Sequence, residues 1–361
     1  MASDCVAEPI SATVPAGQRL ASASLHAANA TRSTIRGVAQ FLAFGLGYLI
    51  AFLCAATAPG CAAKLIGAVA VFFFASRLSL IGHDAGHGSL TTSARLNRWI
   101  GRLAFLPSYI LFSVWVAGHN ALHHAFTNLR GKDPLFAPLS KAEYDALTIV
   151  ERLRERCYRT FFGVGLYSLV IHVNALFFPG PALLSHVPNR TALRLERFAL
   201  AAFVALQIGI TFVAQRLLAG TWDLPVAGLL AAIILPPLVF SWWSGFISFL
   251  HHTHPRVRWY ADLEEWRRAQ AGPDCAVHVV APWPIDLLLG NVLDHTAHHV
   301  APKLPYPELA ECQEQLETSV PGVIETVNLF GCLRIFALCK LYDYENHRWL
   351  DFDGNPTTES N

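Results

Sequence analysis

The sequence predicts an all-α membrane protein: four transmembrane helices in two hairpins, further helices lying in the interface, and a histidine-rich cap on one face. Three observations carry this. Apolar residues make up 53% of the 361 residues and charged residues only 15%, where a soluble domain carries about a quarter. Four apolar runs reach the ~20 residues that a helix needs to cross hydrocarbon. Most of the 16 histidines gather in clusters, two of them at the ends of those runs.

The predicted spans cover about residues 37–58, 62–82, 198–219 and 224–250. Turns around Pro59 and Gly60, and from Gly220 to Asp223, join them in pairs. Turns this short hold no folded domain, so one membrane face carries almost nothing. Of the 27 Lys and Arg residues, only Lys64 and Arg216 sit near the short turns, and Arg77 lies within the second span. The rest lie on the large face, which the positive-inside rule places in the cytosol.

Two further apolar segments, 96–116 and 161–184, are interrupted by Arg98, Arg102 and Pro107, and by His172, Pro179 and Pro181. They read as interfacial helices; a fifth and sixth span is the alternative. Pro236 and Pro237 should kink the fourth span, which a membrane helix tolerates when neighbours satisfy the freed carbonyls. Residues 1–36, rich in Ala, Ser and Thr, lack the apolar core of a secretory signal and are expected to form a disordered or surface-lying tail. Residues 37–361 are then one membrane domain.

The eight cysteines form no CxxC pair and read as reduced structural thiols. Net charge is +1, and no cluster of basic residues interleaves with aromatics, so nucleic acid is not an expected partner.

The histidine clusters carry the chemistry. They are His83-Asp84-Ala85-Gly86-His87, His119-Asn120-Ala121-Leu122-His123-His124, His251-His252-Thr253-His254 and His295-Thr296-Ala297-His298-His299. Helical residues three or four apart share a face. His83 and His87 should therefore point one way. So should His119 and His123, with His124 turned aside, while His295, His298 and His299 form a fan. All four clusters fall on the same predicted face. A catalytic zinc takes about three protein ligands and a structural one four. Eight to ten imidazoles suffice for two metals, and imidazole alone does not choose among iron, copper and zinc. A histidine-rich transporter would need ionisable ligands near the bilayer midplane, and these spans are nearly free of them. That reading, and a non-catalytic scaffold, are the remote alternatives.

The spacings HDAGH, HNALHH and HTAHH, in that order and with a long gap before the last, resemble the three histidine boxes of the membrane fatty acid desaturase and hydroxylase superfamily. GHDAGHGS, HHAFTN, FLHHTHP and HTAHHVAPKLPYPEL are most similar to its acyl-lipid, omega-6 (delta-12-like) members. The resemblance runs from His83 into the C-terminal region. It implies an O2-dependent desaturase with two irons held by nine histidines: His83, His87, His119, His123, His124, His295, His298 and His299 from the boxes, and His252 from the fourth helix. His251 and His254 are the other candidates for the ninth place. His278, in AVHVVAP, resembles a stretch upstream of the third box and is a candidate second-shell residue.

Metal-bound histidines usually give their other N–H to a carboxylate or carbonyl, so Asp84, Asp294, Asn120 and Asn291 are candidate partners. No HPGG motif of a fused haem domain is present, and electrons are expected from a separate ferredoxin or small cytochrome. The third box opens on His295 rather than Gln, unlike the front-end type. The expected substrate is a fatty acyl chain on a lipid, a carrier protein or coenzyme A. Phe72, Phe73, Phe74, Trp242 and Trp243 are candidates to line its path. Hydroxylation, acetylenic-bond formation and ketolation on the same scaffold are the alternatives. Arg far outnumbers Lys and Ala is abundant, which suggests a GC-rich bacterium and its inner membrane.

Overall fold

The computed structural model describes residues 32–220, 223–271, 273–322, 324–328 and 330–360. Nearly all of the 1–36 tail lies outside them. The principal elements are α1 (Thr34–Thr57), α2 (Gly60–His87), α3 (Ala94–Phe105), α4 (Phe112–Gly118), α5 (Ile149–Tyr158), α6 (Gly163–Phe177), α7 (Arg190–Ala219), α8 (Leu235–His252), α9 (Leu263–Ala269), α10 (His295–Val300) and α11 (Leu309–Ser319). The short strands are β1 (Val277–Val280), β2 (Glu325–Asn328), β3 (Leu341–Asp343) and β4 (Arg348–Leu350).

The fold is mostly helical, and four helices are long and apolar enough to cross a membrane: Thr34–Thr57, Gly60–His87, Arg190–Leu218 and Val226–His252. Two bent helix pairs would raise the number to six if each were one span. One is Ala94–Ser108 with Phe112–His123, bent by 96°. The four long helices coincide with the four apolar runs.

Their ends differ from the hydropathy windows for a physical reason. Ser33 caps α1 by accepting from the Arg36 amide, and Asn189 caps α7 by accepting from the Ala192 amide. Both helices therefore begin in polar sequence, where hydropathy gives no signal. Glu196, on the polar first turns of α7, is buried and accepts from Arg102 Nε at 2.8 Å, Ser113 N at 2.9 Å and Ser113 Oγ at 2.7 Å.

The contacts divide the chain into two compact units. The first contains Arg32–Ala121 and Val164–Phe246; among described residues, the second contains Leu122–Gly163 and Ile247–Asn361.

In the first unit, α1 and α2 pack as a tight hairpin. A side chain at Gly67 would place its Cβ 2.6 Å from Ala55 Cα, a backbone atom that cannot swing aside. Gly67→Val should therefore force the pair apart, at roughly 1–3 kcal/mol for overpacking. The thermal midpoint of the detergent-purified protein should fall by several degrees, and an unchanged midpoint would contradict this packing.

The two prolines of the fourth span are also here. A π-turn at Leu230–Ile234 precedes Pro236 and Pro237, whose missing N–H groups free carbonyls one turn earlier. One of these, the Ile233 carbonyl, accepts from the Tyr109 hydroxyl at 3.2 Å. Gln207, also buried, donates to Tyr48 Oη at 2.8 Å beside it.

The second unit holds two elements that an all-α reading does not contain. β1 pairs in parallel with β2, and β3 pairs antiparallel with β4. Trp259, Tyr342 and Trp349 are buried in this unit. The Trp349 indole donates to the His254 carbonyl at 3.0 Å, which anchors the chain just past α8.

Candidate metal centre

Each unit gathers histidines. In the first unit, α2 ends at His87 because Gly88 turns left-handed at φ 71°. His83 and His87 are thus left on one face of the last turn. His119 joins them. The ring centroids are 4.7 Å apart for His83 and His87, and 5.1 Å from each to His119. The ligand-capable nitrogens of the three lie within 4.8 Å of one another. Trp115 stacks on His119 at 4.3 Å, and a side chain at Gly86 would meet that indole at 2.5 Å.

In the second unit, ring nitrogens of His123, His252, His295 and His299 lie within 4.8 Å of one another, and all four side chains are buried. His252 Nε2 is 2.9 Å from His295 Nε2, and His299 Nε2 is 3.1 Å from the same atom. His124 Nε2 is 2.9 Å from His298 Nε2. Three local devices assemble these rings. α8 carries His252 to its last residue. α10 sets His295 and His299 one turn apart. A π-turn at His119–His123 follows α4.

The π-turn corrects one expectation. His119 and His123 do not share a face: His119 gathers with His83 and His87, and His123 with the second group. A turn closed by i→i+5 bonds spaces side chains more widely than the α-helix assumed from sequence.

The outer partners show what these nitrogens can do. His252 Nδ1 lies 3.1 Å from the Cys275 carbonyl. A carbonyl only accepts, so Nδ1 carries the proton and Nε2 presents a lone pair. His123 Nδ1 lies 3.0 and 3.1 Å from the two oxygens of buried Asp133, which sets the same tautomer. The Thr127 hydroxyl donates to the His123 carbonyl at 2.9 Å and lies 3.4 Å from His299 Nδ1, from which it accepts. Burial first, and then the surrounding imidazoles, hold the His295 and His299 pKa values well below the ordinary one, so both rings are neutral at pH 7. Four ring nitrogens within 4.8 Å of one another, with the lone pairs of His123 and His252 turned inward by their outer partners, are spaced to share a cation. The donor set therefore fits a metal bound by imidazole.

The other candidate residues fall variously. Asp84 Oδ1 is 3.2 Å from His83 Nδ1. Asn120 Nδ2 donates to the Gly86 carbonyl at 3.0 Å, between the histidines of the first box. Asn291 donates to the Tyr306 and Pro307 carbonyls and shapes the loop there. Asp294 stands at the start of α10, 3.3 Å from His278 Nε2. His278 Nδ1 reaches Glu317 at 2.6 Å. Burial, then Asp286 and Glu317, push the Asp294 carboxyl up to about 7. His251 stacks flat on His295 at 3.8 Å, and His254 faces Glu325 at 3.5 Å.

Sequence reasoning missed Asp133, as it did the Cys275 carbonyl and Thr127. Besides His123, Asp133 accepts from the amides of Asn128 at 2.9 Å and Leu135 at 3.1 Å. It lies ten residues beyond its histidine in RGKDP, at no helical spacing. The one available signal was a carboxylate in a loop following a box.

Comparisons with known proteins identify the family of the chain. A family model described as fatty acid desaturase matches residues 59–326. The sn-1 acyl-lipid omega-3 desaturase (ferredoxin) of Synechocystis sp. is 30% identical over 66% of this chain and 63% of its own length. The sn-1 oleoyl-lipid 12-desaturase of Picosynechococcus sp. is 26% identical over 76% of this chain and 75% of its own. The chloroplastic omega-6 fatty acid desaturase of Arabidopsis thaliana is 25% identical over 78% and 59%. The chain thus spans less than two thirds of the length of the first and third of these relatives.

Proposed function

The chain belongs to the fatty acid desaturase family, and from that premise we propose that it desaturates fatty acyl chains of membrane lipids, using O2 and two irons. The observation that carries this is the group of buried imidazoles whose second nitrogens are taken by Asp133, the Cys275 carbonyl and Thr127. One iron would be held by the His123, His252, His295 and His299 group, and the other by a shell that includes His83, His87 and His119. His124 and His298 complete the nine ligands. Bound there, the irons supply the oxidant that an unactivated methylene requires and side chains cannot provide.

The residues themselves do the rest. Asp133 and the Cys275 carbonyl fix the tautomers of His123 and His252, and the carboxylate makes its ring a stronger donor. Burial of His123, His252, His295, His298 and His299 keeps water from that part of the site. The balanced reaction removes two hydrogens from adjacent methylenes; with O2, two electrons and two protons it yields one double bond and two waters.

The substrate is an acyl lipid and the electron donor a ferredoxin-type or small cytochrome-type carrier. The printed name of the Synechocystis relative, an acyl-lipid desaturase (ferredoxin), supports the lipid substrate and a ferredoxin donor. The positive-inside distribution supports a cytosolic metal centre, and composition supports a bacterial inner membrane. Omega-6 and 12-desaturase names recur among the relatives at 24–27% identity, and an omega-3 enzyme stands beside them.

Expression in a host of defined lipid composition, followed by mass spectrometry of its acyl chains, tests the proposal. A new double bond at one position is the expected product. A hydroxylated, acetylenic or keto chain, or none of these, would overturn it.

A further inference from the structure

His123, His252, His295, His298 and His299 are buried, so a carrier protein cannot touch those rings, and an electron that reaches them must cross a shell of protein. α9 lies on the surface and contains no buried residue. Its Trp266 indole, half-buried, donates to the Thr127 carbonyl at 2.9 Å. Thr127 is fully buried, and its hydroxyl accepts from His299 Nδ1 at 3.4 Å. Phe126 packs against the same indole, with ring centroids 6.1 Å apart. Two hydrogen bonds and one residue therefore join the exterior to a ligand ring.

We propose that Trp266 and Thr127 form the electron entry route into the His123, His252, His295 and His299 site, with the one-electron carrier delivering at α9. The inference rests on the metal-centre reading above. Each reduced carrier, an iron–sulfur or haem protein, gives up one electron and one ferric iron becomes ferrous; two carriers serve one turnover. Trp266 acts through Thr127 and is a positioning residue for this transfer. A role confined to packing would disturb every reductant alike.

The test uses full-length, iron-loaded protein in lipid nanodiscs, mixed without oxygen against reduced plant-type ferredoxin and, separately, against dithionite. Trp266→Phe keeps an aromatic ring beside Phe126 and loses the N–H donor together with part of the indole. The rate of ferredoxin oxidation should fall about tenfold or more, while iron content and the dithionite rate stay at wild-type values. Trp266→His, which restores a ring N–H, should recover part of the lost rate. An unchanged ferredoxin rate in Trp266→Phe would overturn the route, and so would an equal slowing with both reductants. Wild-type protein that bound no iron would instead remove the metal-centre reading, and the route with it.

Discussion

Replacing His298 with alanine is expected to abolish desaturation while leaving the protein in the membrane. His298 is buried on α10, with Nε2 2.9 Å from His124 Nε2. Its removal would delete a proposed ligand and leave the facing imidazole without its partner. Second-shell changes at metal sites cost 10–100-fold, so loss of a ligand should cost at least about 100-fold and put the product below detection. The four long apolar helices do not include this residue, so insertion should be normal. Acyl-chain mass spectrometry on membranes matched for protein content reads the effect. Full product at wild-type iron content would remove His298 from the site.

The second large effect is expected at a residue outside the boxes. Asp133→Ala takes away the acceptor of two buried donors, His123 Nδ1 and Asn128 N, and of a part-buried one, Leu135 N. Each unpaired donor costs roughly 1–3 kcal/mol, and His123 is freed to rotate or change tautomer. Metal affinity should weaken by about 10–100-fold, with a fall in the thermal midpoint. Asp133→Asn separates the two effects. Its amide oxygen still accepts from His123, but its NH2 group meets an N–H where an oxygen had been, so its iron loss should be intermediate. Competitive chelation of the purified variants measures this. Wild-type iron retention in Asp133→Ala would show that the carboxylate does not tune the site.

The long elements and the clusters were legible in the sequence because both depend on local pattern. A run of apolar residues is a span whatever surrounds it, and His83 and His87 face one way because four residues make about one turn. Reasoning failed where local pattern was overridden. The π-turn at His119–His123 separates two histidines that α-helical spacing would align, and nothing in HNALHH announces the extra residue in the turn. Asp133, the Cys275 carbonyl and Thr127 escaped because a carbonyl has no sequence signature and a carboxylate in an irregular loop has no period. Asn291 shows the reverse error: it neighbours a box in sequence but spends its amide on Tyr306 and Pro307. The strand pairs β1–β2 and β3–β4 are three or four residues long, too short for an alternating pattern to stand out.

The most direct measurement is the metal content of the purified full-length protein, taken with the spectroscopy of the bound metal. Two irons per chain with imidazole nitrogen ligation are expected, falling when His123 or His252 is replaced by alanine. Protein that retained zinc, or held no stoichiometric metal after iron loading, would contradict the account.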